Sequence, residues 1–538
     1  VTASERDLLH WIDDPATGRA LHVAAAADWQ RHACEDVARL VVRASNGLRG
    51  SGVRRNDVTA MVLPDVLELT AALFGSMLAG ATPCVLAPPR AFQDVATYRD
   101  HFLHAIGTIA PRLIVTTNEM VPALSQMTGP AVRICRIDEL LTADGSGNAA
   151  MGPARADRAL IQFTAGSSGQ IRAVGLPYEA LQANVAAIYR WLDWSDCDSA
   201  AFWLPQYHDM GLIGGLIAPL ARGCDLWLMT PEQFVRRPLE YLRCFAERGA
   251  RLTATPAFGL DHITRRIGPD DLRGMDFSGV KGFVIGAELV DPATLARFRD
   301  LLEPFGLPSG SLLPAYGLAE ATLAVTGVEP GAPWTVRSPV SGGAAVVGCG
   351  SPLGDVEVAI LDENRRPLPE GHVGEIVIRG RSLAPGYLRA QESDSVTSFG
   401  NAELFSGDAG FRVGTEIFPL GRLGDSIKIR GRTLFAELLE GELNKLGHPR
   451  EHNAVLLGVR AGRPAVVWIA ERGASSASRE ALDLLFRLAE GADVAFIQAA
   501  KRSISRTSSG KPRRRVLWHA FVSGRIDGNI TVYTGHET

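Results

Sequence analysis

The residues best suited to chemistry sit where a strand-like run, Ile161-Gln162-Phe163, enters Thr164-Ala165-Gly166-Ser167-Ser168-Gly169. Glycines let backbone N–H groups turn toward an anion, and Ser and Thr hydroxyls add donors, so this composition suits a phosphate cradle. A flexible Gly/Ser turn has the same composition. Two sharper readings fail. A nucleotide P-loop needs G-x-x-x-x-G-K-[ST], whereas Gly510-Lys511 is followed by Pro512 and has Ser505 where the first glycine belongs. A serine-hydrolase elbow needs G-x-S-x-G, and the window that opens on Gly166 closes on Gln170.

Further polar segments follow in order. They are Tyr207-His208-Asp209-Met210-Gly211-Leu212, Gly286-Ala287-Glu288, Tyr316-Gly317-Leu318-Ala319-Glu320-Ala321-Thr322 and Ser406-Gly407-Asp408. Then come Gly421-Arg422-Leu423-Gly424-Asp425-Ser426-Ile427-Lys428-Ile429-Arg430-Gly431 and Arg506-Thr507-Ser508-Ser509-Gly510-Lys511. Singly, each has an ordinary structural explanation. Tyr316 could belong to a core and Asp408 to a turn, and Lys511 with Arg513, Arg514 and Arg515 could form a solvated basic face. The ordered set is harder to explain that way.

The elements that must position these residues read as α/β. Helix-like stretches such as 29–45 alternate with short β-branched runs at 58–63 and 113–117, the rhythm of parallel-sheet architecture. Residues 145–152 read as a surface loop, 282–285 as a strand, and 346–377 as β-rich, with strands at 356–361 and 373–378. From 428 onward a short α+β unit runs to the end, which puts the boundary near 421–424. The 69–89 run carries no charge, but Gly75, Gly80, Pro83, Pro88 and Pro89 interrupt it, so it reads as a buried helix at 66–79 and a buried strand at 82–86 rather than a membrane span. The 210–221 run is too short to span and reads as buried too.

Composition narrows the class. The chain has 538 residues, 46% hydrophobic and 21% charged, with a net charge of -4. That is ordinary globular usage, with no excess of positive charge to attract a nucleic-acid backbone. The seven cysteines, Cys34, Cys84, Cys135, Cys197, Cys224, Cys244 and Cys349, form no C-x-x-C pair. This disfavours a disulfide scaffold or structural zinc and fits a reducing, cytoplasmic setting. Glu5, Arg6 and Asp7 precede any apolar run, an order unlike a signal peptide.

Taken together, the ordered segments resemble the acyl-adenylate-forming superfamily of acyl-CoA synthetases, fatty acyl-AMP ligases, luciferases and peptide-synthetase adenylation domains. The Tyr207-to-Leu212 and Tyr316-to-Thr322 wording is most similar to fatty acyl-AMP ligases. The resemblance implies a large multi-subdomain N-terminal domain (1–420) for nucleotide and acyl group, with mostly parallel sheets and a β-rich part. A hinge (421–426) and a small mobile α+β lobe (427–538) would follow. It implies that a carboxylate attacks the α-phosphate of ATP to give acyl-AMP, and that a thiol then displaces AMP.

By the same resemblance, Thr164, Gly166, Ser167, Ser168 and Gly169 would cradle phosphates. Glu320 would hold Mg2+, and Lys511 would bridge carboxylate and α-phosphate. Gly286, Ala287 and Glu288 would border the adenine, with Tyr316 and Gly317 against it. Asp408 would accept from the ribose and Arg422 lie beside it. Trp203, Tyr207, His208, Gly214 and Gly215 would line the acyl pocket, with His208 also placed among the catalytic groups. Lys428, Arg430 and Gly431 would line the thiol channel, and Gly424 would be the pivot.

The sequence departs from the family at several points. Gly424 replaces the usual Asp or Lys. The loop has Ala165, Ile171, Arg172 and Ala173 where the family has Ser, Pro, Lys and Gly. Fatty acyl-AMP ligases carry an extra segment after the Tyr-Gly-x-Ala-Glu motif that hinders the thioester conformation; the stretch from Glu320 to Val356 is short. That makes CoA the expected acceptor. Three alternatives stay open: a ligase that takes preformed acyl-AMP from a separate adenylating enzyme, a ligase that loads a carrier protein, and a non-catalytic nucleotide-binding relative. A luciferase-like oxygenase has no support in the sequence.

Overall fold

The computed structural model describes residues 7–26, 28–89, 95–142, 155–165, 171–340, 345–389, 396–429, 432–460, 462–472, 478–489, 491–507, 510–526 and 528–533. A six-stranded sheet runs in the order Arg133–Arg136, Leu113–Thr116, Val58–Val62, Thr82–Val85, Arg158–Ala165, Ile171–Pro177. All its pairings are parallel except the last, a hairpin that sets Thr164 opposite Arg172. Strands covered on both faces read as continuous apolar runs rather than alternations, and Val58–Val62 and Leu113–Thr116 do so.

The charge-free run is covered by protein. Helix Val66–Leu78, capped by Asp65, lies against helix Cys34–Gly50 so closely that a Cβ on Gly75 would stand 2.8 Å from that of Ala44. Among the described residues no helix is long and apolar enough to cross a membrane.

The expected helix over 29–45 starts later. Trp29–Ala33 is an edge strand, antiparallel to Ala20–Ala24, and the helix occupies Cys34–Gly50. The neighbouring strand offers that segment a ladder, and pairing across the chain outweighs local helical periodicity. The surface loop expected at 145–152 lies outside the described residues.

A nine-stranded sheet forms the second layer, with Leu312–Gly317, Gly282–Ile285, Ala250–Thr255 and Ser199–Phe202 as parallel neighbours at its centre. In such sheets ligands bind beyond the carboxyl ends of the strands. Tyr316-Gly317 and Gly286-Ala287 sit at those ends. A five-stranded antiparallel sheet follows, in which Glu403–Val413 pairs with Glu416–Arg422 and sets Asp408 opposite Arg422.

Beyond the turn Leu423–Asp425, the hairpin Ser426–Ile429/Arg432–Phe435 leads into a four-stranded sheet. Helices Ala436–Lys445 and Arg479–Leu488 bury one face of that sheet around Trp468. Helix Arg514–Val522 buries the other through Leu517 and Phe521. The architecture is therefore α/β, with mostly parallel sheets, a β-rich subdomain and a smaller α+β C-terminal subdomain.

Candidate active site

Asp408 is the centre of a buried polar clamp. The Tyr316 hydroxyl donates to its Oδ2 at 2.6 Å, and Arg422 Nε donates to its Oδ1 at 2.7 Å. Cross-strand register fixes the Asp408–Arg422 pair. Arg422 Nη1 also reaches Thr397 Oγ1 and the Ser406 carbonyl, each at 3.3 Å. Burial pushes the Asp408 carboxyl up, against the pull of Arg422, Tyr316 and Lys511. The Asp408 charge holds Arg422 firmly protonated, and burial together with that charge raises the Tyr316 hydroxyl far above its ordinary value. Gly317 has to be glycine, because a Cβ there would collide with the Leu323 carbonyl.

A second group gathers around Glu320. Glu320, in the short turn Ala319–Ala321, is buried and accepts from the Tyr387 hydroxyl at 2.6 Å. The Arg172 guanidinium lies 4.0 Å from the same Glu320 oxygen and 4.1 Å from the centre of the Tyr387 ring. Opposite Arg172 in the hairpin, the Thr164 hydroxyl is buried with no hydrogen-bond partner. A buried donor left unsatisfied is costly, and an incoming phosphate oxygen would satisfy it. Gly166, Ser167, Ser168 and Gly169 lie outside the described residues.

The C-terminal subdomain supplies the remaining cation. The Lys511 loop is closed by two bonds, Thr507 N–H to the Lys511 carbonyl at 2.8 Å and Lys511 N–H to Thr507 Oγ1 at 3.1 Å. The Lys511 charge reaches the site, where it pulls both the Asp209 and Asp408 carboxyls down. Asp209 caps the π-helix Met210–Ile217, and burial, with help from Glu320, pushes its carboxyl up to about 6. Arg513 Nη2 meets His101 Nε2 at 3.1 Å, and Arg450 Nη1 donates to the Leu289 carbonyl at 3.3 Å, so the two subdomains touch at both places.

Buried carboxylates, an aromatic hydroxyl, an arginine and a lysine brought in from a second subdomain form a set able to hold a nucleotide and offset charge on a phosphate. Residues 12–388 match the family described as AMP-binding enzyme. The chain belongs to the AMP-binding enzyme family. It is 30% identical to the long-chain-fatty-acid–AMP ligase FadD26 of Mycobacterium marinum, over 88% of each chain. It is 29% identical to the medium-chain-fatty-acid–[acyl-carrier-protein] ligase JamA of Moorena producens, over 88% of this chain and 87% of that one. A solved structure from work on fatty acyl-adenylate ligases of E. coli and L. pneumophila superposes with a TM-score of 0.86 at 23% identity, over 97% of this chain and 99% of that one.

In this AMP-binding enzyme an apolar cavity of about 80 Å3 opens beside the clamp. Asp209, Gly286, Ala287, Tyr316, Trp191, Phe202, Gly214 and Leu323 are among the residues that line it. Ala287 holds a φ of +66°, an uncommon backbone state for a residue with a Cβ, of the kind that clusters at functional sites.

Of the residues expected to line an acyl pocket, Gly214 does so. Gly215 backs onto the Phe202 ring, and Trp203 stacks on Phe234 at 4.0 Å in the aromatic core behind. The Tyr207 carbonyl accepts from Gln162 Nε2 at 2.9 Å, and the His208 carbonyl accepts from Leu212 N–H at 2.7 Å at the head of the π-helix. Glu288 is tied to the start of helix Ala257–Arg266 by the Phe258 N–H at 2.7 Å. Gly424 sits in the turn Leu423–Asp425, and Lys428 is exposed, 3.5 Å from Glu363. Arg430 and Gly431 lie outside the described residues.

Sequence reasoning assigned no role to Asp209 or Tyr387 and treated Arg172 only as a departure. Asp209 was legible inside its motif. Tyr387 had no local signal, since its partner Glu320 lies in a distant segment.

Mg2+ takes one or two carboxylates, keeps waters and uses substrate phosphates, so it needs no protein cage. The described residues contain no group of three or more His, Cys, Asp or Glu able to hold a metal. Glu320, buried beside Tyr387 and Arg172, fits an ion carried in by the nucleotide.

Proposed function

We propose that this AMP-binding enzyme activates a hydrophobic carboxylic acid with ATP, giving acyl-AMP and pyrophosphate, and passes the acyl group to the thiol of CoA with release of AMP. The observation that carries the reading is the buried clamp in which Asp408 accepts from Tyr316 and pairs with Arg422, with the Lys511 charge from the C-terminal subdomain acting on Asp408 and Asp209. Two anions, the carboxylate and the α-phosphate, must meet there, and a lysine between them offsets the charge that builds up as the new bond forms.

In this reading Asp408 accepts from the ribose hydroxyls, and Arg422 keeps Asp408 ionised. Tyr316 flanks the adenine beside Gly286 and Ala287. Thr164, the 166–169 loop and Arg172 take the phosphates. Glu320 would hold Mg2+, which when bound neutralises phosphate charge. Residues 1–420 form the catalytic body, 421–426 the hinge and 427–538 the moving lobe. Lys511 departs with that lobe, and Lys428, Arg430 and Gly431 arrive in its place. CoA is favoured as acceptor because the stretch from Glu320 to Val356 is short, like that of CoA ligases and unlike the extended segment of fatty acyl-AMP ligases.

Two further readings rest on particular observations. The likeness to JamA favours a carrier-protein thiol. The substitutions at Ala165, Ile171, Arg172 and Ala173 favour an enzyme that takes acyl-AMP made by another protein.

One set of assays separates the three. Pyrophosphate–ATP exchange with a panel of acids should be robust, and supplied acyl-AMP with CoA should give acyl-CoA. Absence of exchange together with rapid acyl-CoA formation overturns ATP-dependent activation. Loading of a holo carrier protein without acyl-CoA overturns the CoA assignment.

A further inference from the structure

One side of the cavity beside the clamp cannot easily retreat. Helix Tyr178–Trp191 turns Ile188 and Trp191 toward it, and Leu192 and Trp194 follow just beyond the helix end. The Trp191 indole N–H donates to the Val328 carbonyl at 2.9 Å, and its ring rests on Gly327, where a Cβ would overlap it. The Trp194 indole N–H donates to the Asp198 carbonyl at 3.3 Å, and its ring meets Tyr189 edge-on at 5.9 Å. Moving either ring would strand a buried N–H and a buried carbonyl, which costs more than an ordinary hydrogen bond is worth.

The space beside these rings is small and apolar. Its volume is about 80 Å3. A cavity that takes benzene is roughly 150 Å3, so this one takes about half of a six-carbon ring, some three carbons. Thr253, a polar residue of the wall, has its hydroxyl committed to Tyr241 at 2.7 Å. The polar groups of Trp191, Trp194 and Thr253 are all satisfied, so nothing on this side of the cavity asks for a polar acyl group. The carboxyl carbon and its neighbour belong toward the clamp, beside Asp209, Gly286 and Tyr316.

Resting on the acyl-AMP reading above, we propose that the acid activated here is a short apolar monocarboxylate, of about four to six carbons, and that Trp191 sets the limit. The long chain named for the relative FadD26 would have to displace two anchored indoles.

The probes are non-hydrolysable sulfamoyl-adenosine mimics of acyl-AMP carrying butanoyl, hexanoyl and dodecanoyl groups, with binding read by calorimetry on the full chain. Butanoyl and hexanoyl mimics are expected to bind at least ~30-fold more tightly than the dodecanoyl mimic, because pocket fit is worth a factor of roughly ten or more per misplaced methylene. Trp191→Ala should shrink that gap at least tenfold by improving dodecanoyl binding alone. Ile188→Ala, a milder opening one turn earlier, should relax the limit in the same direction if the larger change prevents folding.

Dodecanoyl binding as tight as hexanoyl in the unaltered protein overturns the proposal, as does failure of all three mimics to bind. A gap unchanged in both variants removes Trp191 from the role. Pyrophosphate exchange with the free acids runs in parallel. Loss of exchange with a preserved chain-length gap defeats the adenylation reading and leaves the size limit standing, whereas exchange with dodecanoate matching hexanoate does the reverse.

Discussion

Arg422 shows how much one side chain's shape matters. Its Nε and Nη1 serve different partners at once, Asp408 on one side and Thr397 with Ser406 on the other. A lysine carries the charge but has no fork. Arg422→Lys should leave the fold intact by circular dichroism and raise the KM for ATP by a factor of about 10–100, since hydrogen bonds to charged groups are worth roughly 1.5–3 kcal/mol.

Asp209 makes a different prediction. Its carboxyl is raised from the usual 3.8 to about 6 in the folded chain. It therefore opposes folding fully above that value, and the opposition fades as the pH falls through 6 and is gone below 3.8. Asp209→Asn should raise Tm at pH 8 and change it little near pH 4; an equal gain at both would contradict burial of the charge as the cause. At this scale motif order brought some of the expected residues together and left others, such as Trp203 and Gly215, away from the cavity. Tyr316, Asp408 and Arg422 converge, and Thr164 faces the same region. Arg172 and Tyr387 act through a contact between segments, which motif order does not encode.

At the scale of elements, the helix Tyr178–Trp191 and the strand Ala324–Gly327 are joined by one close approach. The strand pairs on both sides, Gly327 with Ala315 and with Ser351, so it cannot shift to admit a side chain. Gly327→Ala would drive a methyl into the Trp191 ring, and overpacking of this kind costs typically 1–3 kcal/mol. The expected outcome is a lower melting temperature in thermal denaturation, with the acyl mimics binding more weakly. The parallel strands were visible in the sequence because doubly covered strands read as unbroken apolar runs. Trp29–Ala33 was misread because its structure comes from a partner strand, and helical spacing within the segment hides that. The π-helix Met210–Ile217 was equally hidden, since an apolar run with paired glycines does not reveal which hydrogen-bond period it will adopt.

The whole molecule joins a large α/β N-terminal part to a smaller α+β C-terminal subdomain that carries Lys511. The order of motifs along the chain was enough to infer this architecture, but the relative placement of the two comes from contacts such as Arg513 to His101 and Arg450 to Leu289. If Lys511 serves only the first half-reaction, Lys511→Ala should abolish acyl-AMP synthesis and leave the conversion of supplied acyl-AMP by CoA largely intact. Equal loss in both assays would contradict a moving lobe.

The C-terminal subdomain also carries an imbalance at its heart. Arg514 is buried with three carboxylates around it: Asp425 at 3.0 Å, Glu437 at 3.4 Å and Glu440 at 2.8 Å. Burial pushes the Asp425 carboxyl up; Arg514 opposes, and the neighbouring glutamates add to the rise. The folded lobe therefore holds a proton that the unfolded chain releases in the window just above 3.8. Folding in that window draws a proton from the solution, and this contribution to stability falls as the pH climbs through it. The heat of unfolding should then depend on the buffer that receives the proton, differing between buffers of low and high ionisation enthalpy at mildly acid pH. In Asp425→Asn that difference should shrink, so the lobe's charge surplus can be weighed as heat.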